Sequence, residues 1–245
     1  MCSVIEVTCN EKSNLNFSIF GWCIALSFAP PVLFGFIVSV VLAINGLNIY
    51  ETEDPQIEVM IMLWALILSP ALLFPLLIYV VGCNSAGELL SYLKFKKVKL
   101  IYLFFVIIFT VFLEFSFDAF FFFTNIPSDA FTLEVLKFIN SYEKTILVAV
   151  AICIVGPLME ELIFRGWLFQ RLIATKLGPF GAVGISSILF TLFHFQYQQI
   201  LPVIVLLIYS IILGTIRLKT ANVNYTIIAH MTSNSYVLFA PVWFH

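Results

Sequence analysis

Charge is what this chain has least of. Only 11% of its 245 residues are Asp, Glu, Lys or Arg, against about a quarter in an ordinary soluble domain. Histidine occurs three times, and aspartate only at Asp54, Asp118 and Asp129. Each scarcity excludes a class of function. With net charge −2 there is no basic face and no aromatic-basic interleaving, so nucleic acid is not a partner. An intramembrane aspartyl mechanism needs two membrane aspartates, and only Asp118 lies near an apolar run. A di-iron membrane oxygenase needs many more histidines. The five cysteines (Cys2, Cys9, Cys23, Cys83, Cys153) form no CxxC and no metal-ligand spacing, so no disulfide framework is implied. Three of them lie in apolar runs, where cysteine acts as a small hydrophobe.

What the chain has instead is hydrocarbon. It is 62% hydrophobic with mean hydropathy +1.07, which places it among polytopic membrane proteins. Apolar runs near the roughly 20 residues that cross a bilayer fall at roughly 17–44, 57–82, 99–123, 145–172, 180–196, 200–216 and 222–241. The fold class expected is an all-α transmembrane helix bundle of about seven spans, six to eight if the short fifth and sixth runs form a re-entrant hairpin. The segment from Ser85 to Lys94 reads as a short amphipathic interfacial helix. The polar stretch Met1 to Asn16, with a long apolar run after it, does not read as a cleavable signal peptide. No internal repeat or linker divides the chain, so residues 1–245 form one integral membrane domain.

Basic residues orient this bundle. With a cytoplasmic N-terminus, Lys12, Lys94, Lys96, Lys97, Lys99, Arg165, Arg171, Lys176, Arg217 and Lys219 lie inside, and only Lys137 and Lys144 outside. The acidic loop Glu51-Thr52-Glu53-Asp54, the connection Asn125 to Lys144 and the C-terminus are then external. Prolines in the runs (Pro30, Pro31, Pro70, Pro75, Pro157, Pro202) read as ordinary helix kinks. Gly156-Pro157 is the exception, because it precedes the charged turn and a freed carbonyl there would open room for water.

That turn is the most informative place in the chain. Glu160, Glu161 and Arg165 sit together in an otherwise apolar helix (Val148 to Leu172), where each ionised group costs roughly 2.5–3.5 kcal/mol or more. Glu161 and Arg165 are four apart and share a face, so they pair. Glu160 is rotated by about 100° and is left free to titrate. The bland alternative is that all three are solvated at the cytoplasmic interface. Two of the three histidines favour a site: His194 and His230 lie in separate apolar runs, and Asn234 shares a helical face with His230. His245 reads as a terminal residue without function.

One carboxylate, two imidazoles and an amide from three helices suit hydrolysis by activated water. A desolvated glutamate can act as general base, one histidine can share in activating the water, and a second histidine with an asparagine can hold the carbonyl oxygen. Glu160, His194 and His230 are also a two-histidine, one-carboxylate set for Zn2+, although their spacing is not that of the HExxH helix. Ser186 with His230 is a weak match to a serine mechanism.

The three patterns Glu160-Glu161-x-x-x-Arg165, Phe190-x-x-x-His194 and His230-x-x-x-Asn234 resemble those of the CPBP intramembrane protease family. That group contains the CAAX prenyl endopeptidases and bacterial relatives linked to bacteriocin processing and self-immunity. The resemblance covers about residues 145–240. It implies that Glu160 and His194 activate the water, that His230 and Asn234 form the oxyanion hole, and that Glu161 and Arg165 support the site. It also implies that some of these side chains have been viewed as metal ligands.

The function expected is therefore an intramembrane endopeptidase. It would act on a peptide or a membrane-anchored protein, prenylated or leader-bearing, within the lipid bilayer. Two other classes compete: a non-catalytic immunity or peptide-binding protein of the same fold, and a proton-coupled transporter. The phenylalanines concentrated in Phe104 to Phe123 read as lipid-facing or packing surface rather than a prenyl groove. The Ile-, Phe-, Asn- and Lys-rich composition points to an AT-rich prokaryotic genome.

Overall fold

The computed structural model describes residues 17–46, 54–125, 130–197 and 199–240. The expectations placed on Met1 to Asn16, on Glu51 to Glu53, on Asp129 and on His245 lie outside the described residues. Ten helices and no strand are found among the rest: α1 (Phe17–Ile44), α2 (Pro55–Leu68), α3 (Pro70–Val81), α4 (Ala86–Tyr92), α5 (Leu100–Thr124), α6 (Ala130–Phe138), α7 (Tyr142–Ile173), α8 (Gly178–Leu192), α9 (Ile200–Thr220) and α10 (Val223–Phe239).

All seven apolar runs are helical, but they differ in reach. Only α1, α5, α7 and α9 are each long and apolar enough to cross a membrane, and α2 with α3 makes a fifth candidate bent by 43°. The bend has a local cause. Pro70 has no N–H to continue the α2 ladder, and Ser69, at the joint, turns its hydroxyl back onto Ala65 O at 2.7 Å. The 15 residues of α8 and 17 of α10 rise only about 22 and 26 Å at 1.5 Å per residue, short of the roughly 30 Å hydrocarbon core.

Local chemistry sets the other boundaries. Gly82, at φ +76°, ends α3, with its N–H and that of Cys83 returning to Ile78 O. Ser85 caps α4, accepting from Glu88 N, while Glu88 Oε2 reaches back to Asn84 N. This is the short helix expected between Ser85 and Lys94. Within the connection between Asn125 and Lys144, α6 forms and packs Val135 and Phe138 against Leu63 and Val148.

Burial ranks the helices. Half of the most apolar window of α7 is buried, against 11% in α1 and in α5. Around α7, Leu162, Phe164, Trp167 and Phe169 pack with Cys23 and Leu26 of α1, Leu73 and Leu77 of α3, and Leu93 after α4. Cys23, Cys83 and Cys153 are buried. The outer face of α5 exposes Phe104, Phe105, Phe112 and Phe123, a patch suited to lipid rather than water. The structure is thus a polytopic helical bundle with α7 at its centre.

The segment entering α5 is strapped to the start of α10. Asn222 Oδ1 accepts from Lys96 N (3.3 Å), Asn222 Nδ2 donates to Lys96 O (3.2 Å), and Tyr225 Oη accepts from Lys99 N (2.9 Å). Asn222 is buried, so Asn222→Ala strands several polar groups at roughly 1–3 kcal/mol each. Thermal unfolding of the purified variant in detergent is expected to fall by several degrees. An unchanged midpoint would show that the strap contributes nothing.

Candidate active site

The backbone of α7 is irregular on both sides of the glutamates. Over Ala149–Val155 and again over Leu162–Leu168 it widens into π-type turns. Gly156 N–H reaches back five residues to Ala151 O, passing over Ile152 O, and Pro157 has no N–H to offer it. That orphaned carbonyl accepts from Asn234 Nδ2 at 2.9 Å. In the second turn Phe169 N–H reaches Phe164 O, passing over Arg165 O, which accepts from Arg217 Nε at 2.9 Å. The freed carbonyl expected near Pro157 exists, but a side chain from α10 takes it.

Between the two wide turns, the stretch Gly156–Glu161 is regular helix, and it aims the two carboxylates differently, as their one-residue offset requires. Glu161 and Arg165 have no solvent exposure and pair at 3.0 Å. Arg165 Nη2 donates to Ser210 Oγ (2.6 Å) and Ser210 O (3.1 Å) on α9. Its guanidinium lies 4.4 Å over the Phe190 ring of α8, a cation–π contact. The same ring packs against His194 (4.4 Å) and His230 (5.7 Å). Phe190 is therefore the common floor under the arginine and both imidazoles, which is the physical content of the Phe190-x-x-x-His194 spacing.

Hydrogen bonds on the far nitrogens orient both rings. His194 Nδ1 lies 2.7 Å from Phe190 O, and a carbonyl oxygen only accepts, so Nδ1 carries a proton. His230 Nδ1 lies 3.0 Å from Glu161 Oε1, and donates to that carboxylate. Each Nε2 is consequently turned toward Glu160, whose Oε2 is 3.8 Å from His194 and 3.7 Å from His230. Glu160, with a 35% exposed side chain, faces a cavity of about 710 Å³ that His194, His230 and Asn234 also line.

Every residue expected at the site is thus drawn together: Glu160, His194, His230 and Asn234 on the cavity, Glu161 and Arg165 behind it. Glu161 does more than neutralise Arg165, because it also orients His230. The solvated-interface alternative does not describe Glu161 or Arg165, which are sealed from solvent. Ser186 is buried and donates to Val183 O, away from both rings.

Two features lay outside the sequence reading. Glu114 of α5 is buried, accepts from Ser233 Oγ at 2.6 Å and lines the cavity, with Asp118 one turn further along. The cost of intramembrane charge that singled out Glu160 applies equally to Glu114 and is the signal that would have found it. Phe117 and Phe121 also line the cavity, so part of the phenylalanine-rich run faces inward instead of toward lipid.

The carboxylate and two imidazoles invite comparison with a zinc site. Ligands about 2.0–2.1 Å from a tetrahedral Zn2+ stand about 3.3 Å apart, closer than the 3.7 and 3.8 Å measured between Glu160 and the rings. Among the described residues no group of three or more His, Cys, Asp or Glu side chains is arranged to hold a metal ion. The residue types suit Zn2+, but their placement does not fit it, and the chemistry below is derived from the protein's own groups.

Because Arg165 is sealed among apolar side chains, Glu161→Ala leaves a buried guanidinium without its counter-charge, at roughly 3–5 kcal/mol, and frees the His230 ring. The variant is expected to show both a lower unfolding midpoint and lower activity. A normal midpoint would remove the bracing role.

Residues 142–236 match the family described as type II CAAX prenyl endopeptidase, Rce1-like. No curated protein and no solved structure matches the chain. The matched stretch runs from the start of α7 into α10 and contains all seven residues of the three patterns. Over this stretch the chain is similar to the CAAX prenyl endopeptidase members of the CPBP family.

Proposed function

We propose that the protein is a CAAX-type intramembrane endopeptidase that hydrolyses a peptide bond with a water activated by Glu160 and His194. The observation carrying this reading is the approach of Glu160 Oε2 to two Nε2 atoms, at 3.7 and 3.8 Å, on a cavity enclosed by membrane helices. Those gaps exceed a direct hydrogen bond and suit a water about 2.8 Å from each atom. Its protons have acceptors in the Glu160 carboxylate and in His194 Nε2, the ring nitrogen left free by the bond to Phe190 O.

Glu160 takes one proton as the water oxygen attacks the substrate carbonyl carbon. The charge developing on the carbonyl oxygen is met by His230 as an imidazolium, its Nδ1–H held by Glu161 and its Nε2–H donating to the oxyanion. One N–H of Asn234 is committed to Ile152 O, so only its second N–H is available to the oxyanion. As the C–N bond breaks, the proton held by Glu160 passes to the leaving amine. Atoms and charge balance, and Glu160 returns to its starting state.

The substrate is a peptide or lipidated protein segment that enters from the bilayer. The distribution of basic residues supports a cytoplasmic N-terminus in a prokaryotic cell membrane, which puts the Arg171 and Lys176 end of α7 on the cytoplasmic side.

Glu160→Gln preserves shape and removes the base. Cleavage of a peptide substrate is expected to fall by 10²-fold or more, in keeping with the loss of a general base, with the unfolding midpoint unchanged. Wild-type turnover by a folded Glu160→Gln variant would sink this mechanism.

A further inference from the structure

Arg217 is a buried charge outside the three sequence patterns. It stands in the last turn of α9, with Lys219 two residues further on. At the end of an apolar helix a long basic side chain ordinarily reaches water along its own stem. Lys219 is exposed in this way, whereas Arg217 is turned inward and only 2% exposed. Its guanidinium lies 5.3 Å from the centre of the Phe169 ring, and its Nε donates to Arg165 O at 2.9 Å. Giving up water for a ring and a backbone carbonyl is costly for a cation. The carbonyl it reaches is the one that the second wide turn of α7 leaves open.

That turn sets the register between the two parts of α7. It takes up one residue more than an α-helical turn, and one residue is about 100° of rotation. After it, Phe169 and Leu172 are buried in the core. Within it, Gly166 lets the helix approach Leu93 so closely that an added Cβ would stand 2.8 Å from Leu93 Cδ2. The C-terminal part of α7 is thus fixed by packing, and a tightened turn would throw its rotation onto the glutamates. Glu161 would leave His230, and Glu160 would leave the two Nε2 atoms at 3.7 and 3.8 Å. In a regular turn Arg165 O would take the N–H of Phe169, which here reaches Phe164 O instead. Arg217 Nε occupies that acceptor from another helix and so opposes the tightening.

We propose that Arg217 is a positioning residue for the hydrolytic reaction: its Nε–H keeps the second wide turn of α7 open and thereby holds Glu160 at the rings of His194 and His230. What the site needs from Arg217 is the donor at Nε and not the charge. This rests on the reading of Glu160 as the base in peptide cleavage.

The test uses the full chain in detergent with a peptide that the wild type cleaves. Glutamine is the informative replacement, because its Nε2 is as many bonds from Cα as the Nε of arginine. Arg217→Gln therefore keeps a donor for Arg165 O and loses the charge, while Arg217→Met keeps the length and loses both. Arg217→Met is expected to lower kcat roughly tenfold or more with KM within about twofold, a loss of geometry and not of binding. Arg217→Gln should hold kcat within about threefold of wild type. Wild-type kcat in folded Arg217→Met overturns the proposal, and so does a loss confined to KM. A folded Arg217→Gln that loses about tenfold overturns it as well. If Arg217→Met does not fold, the Arg217→Gln result decides alone, in either direction.

Position is also read without turnover. In a chain carrying Glu160→Cys and His194→Cys, a short bifunctional thiol reagent links the two sites, scored by mass spectrometry of the joined peptides. Adding Arg217→Met should lower the linked yield about threefold or more, and adding Arg217→Gln should not. A yield indifferent to both substitutions overturns the proposal whether or not the wild type cleaves a peptide. Absence of cleavage by the wild type, with a linked yield that follows the donor, counts against the protease reading alone.

Discussion

An arginine guanidinium held among apolar helices must have its charge and its donors met from within the protein, because water is not there to meet them. Arg165 meets most of this demand through Nη1 and Nη2 by drawing on three other helices, while among the described residues its Nε finds no acceptor. Ser210 of α9 accepts two of its hydrogen bonds, the Phe190 ring of α8 covers its face, and Glu161, on its own helix, passes the charge on to His230 of α10. Glu161 Oε1 is shared between the guanidinium and the imidazole. Moving any one of these groups therefore disturbs the others. This coupling lets three short, separately weak sequence patterns define a single geometry.

The same demand governs the backbone. A widened helical turn skips a carbonyl, and in a bilayer a skipped carbonyl is costly unless a side chain supplies the missing donor. Asn234 serves the first wide turn of α7 and Arg217 the second. Close packing makes these reaches feasible. At Gly214 of α9 an added Cβ would stand 3.1 Å from Val183 Cγ1, so α8 and α9 approach closely just where Ser210 meets Arg165.

How far this was legible from the sequence depends on what carried each feature. Glu160, Glu161, Arg165, His194, His230 and Asn234 were readable because polar groups in apolar runs are costly and their spacing gives facing directions. The Glu161–Arg165 pair followed from a four-residue offset. The contact between Glu161 and His230 joins residues 69 apart in sequence, and no local periodicity encodes such a pairing. The wide turns were hidden for a different reason: Ala149 to Val155 is an ordinary apolar string, and its register is decided by what α10 offers to Ile152 O. Glu114 was readable by the same rule as Glu160, but its run offered only Asp118 beside it and no histidine. The short reach of α8 and α10 reflects helix ends set by contacts as well as by hydropathy.

Adjacent glutamates with opposite duties follow from these constraints. Glu161 has no exposure and shares one oxygen between two donors, so its charge is already committed before any substrate arrives. Glu160, one residue away, has no hydrogen bond to an arginine and keeps a third of its side chain open to the cavity. Both imidazoles spend Nδ1 on fixed acceptors, so the atoms left for chemistry are their Nε2 nitrogens, and these converge on Glu160. Exchanging the two roles would require α7 to turn by about 100°, which would pull Arg165 away from Ser210 and Phe190. The buried pair thus sets the rotation of the helix, and that rotation decides which carboxylate can react.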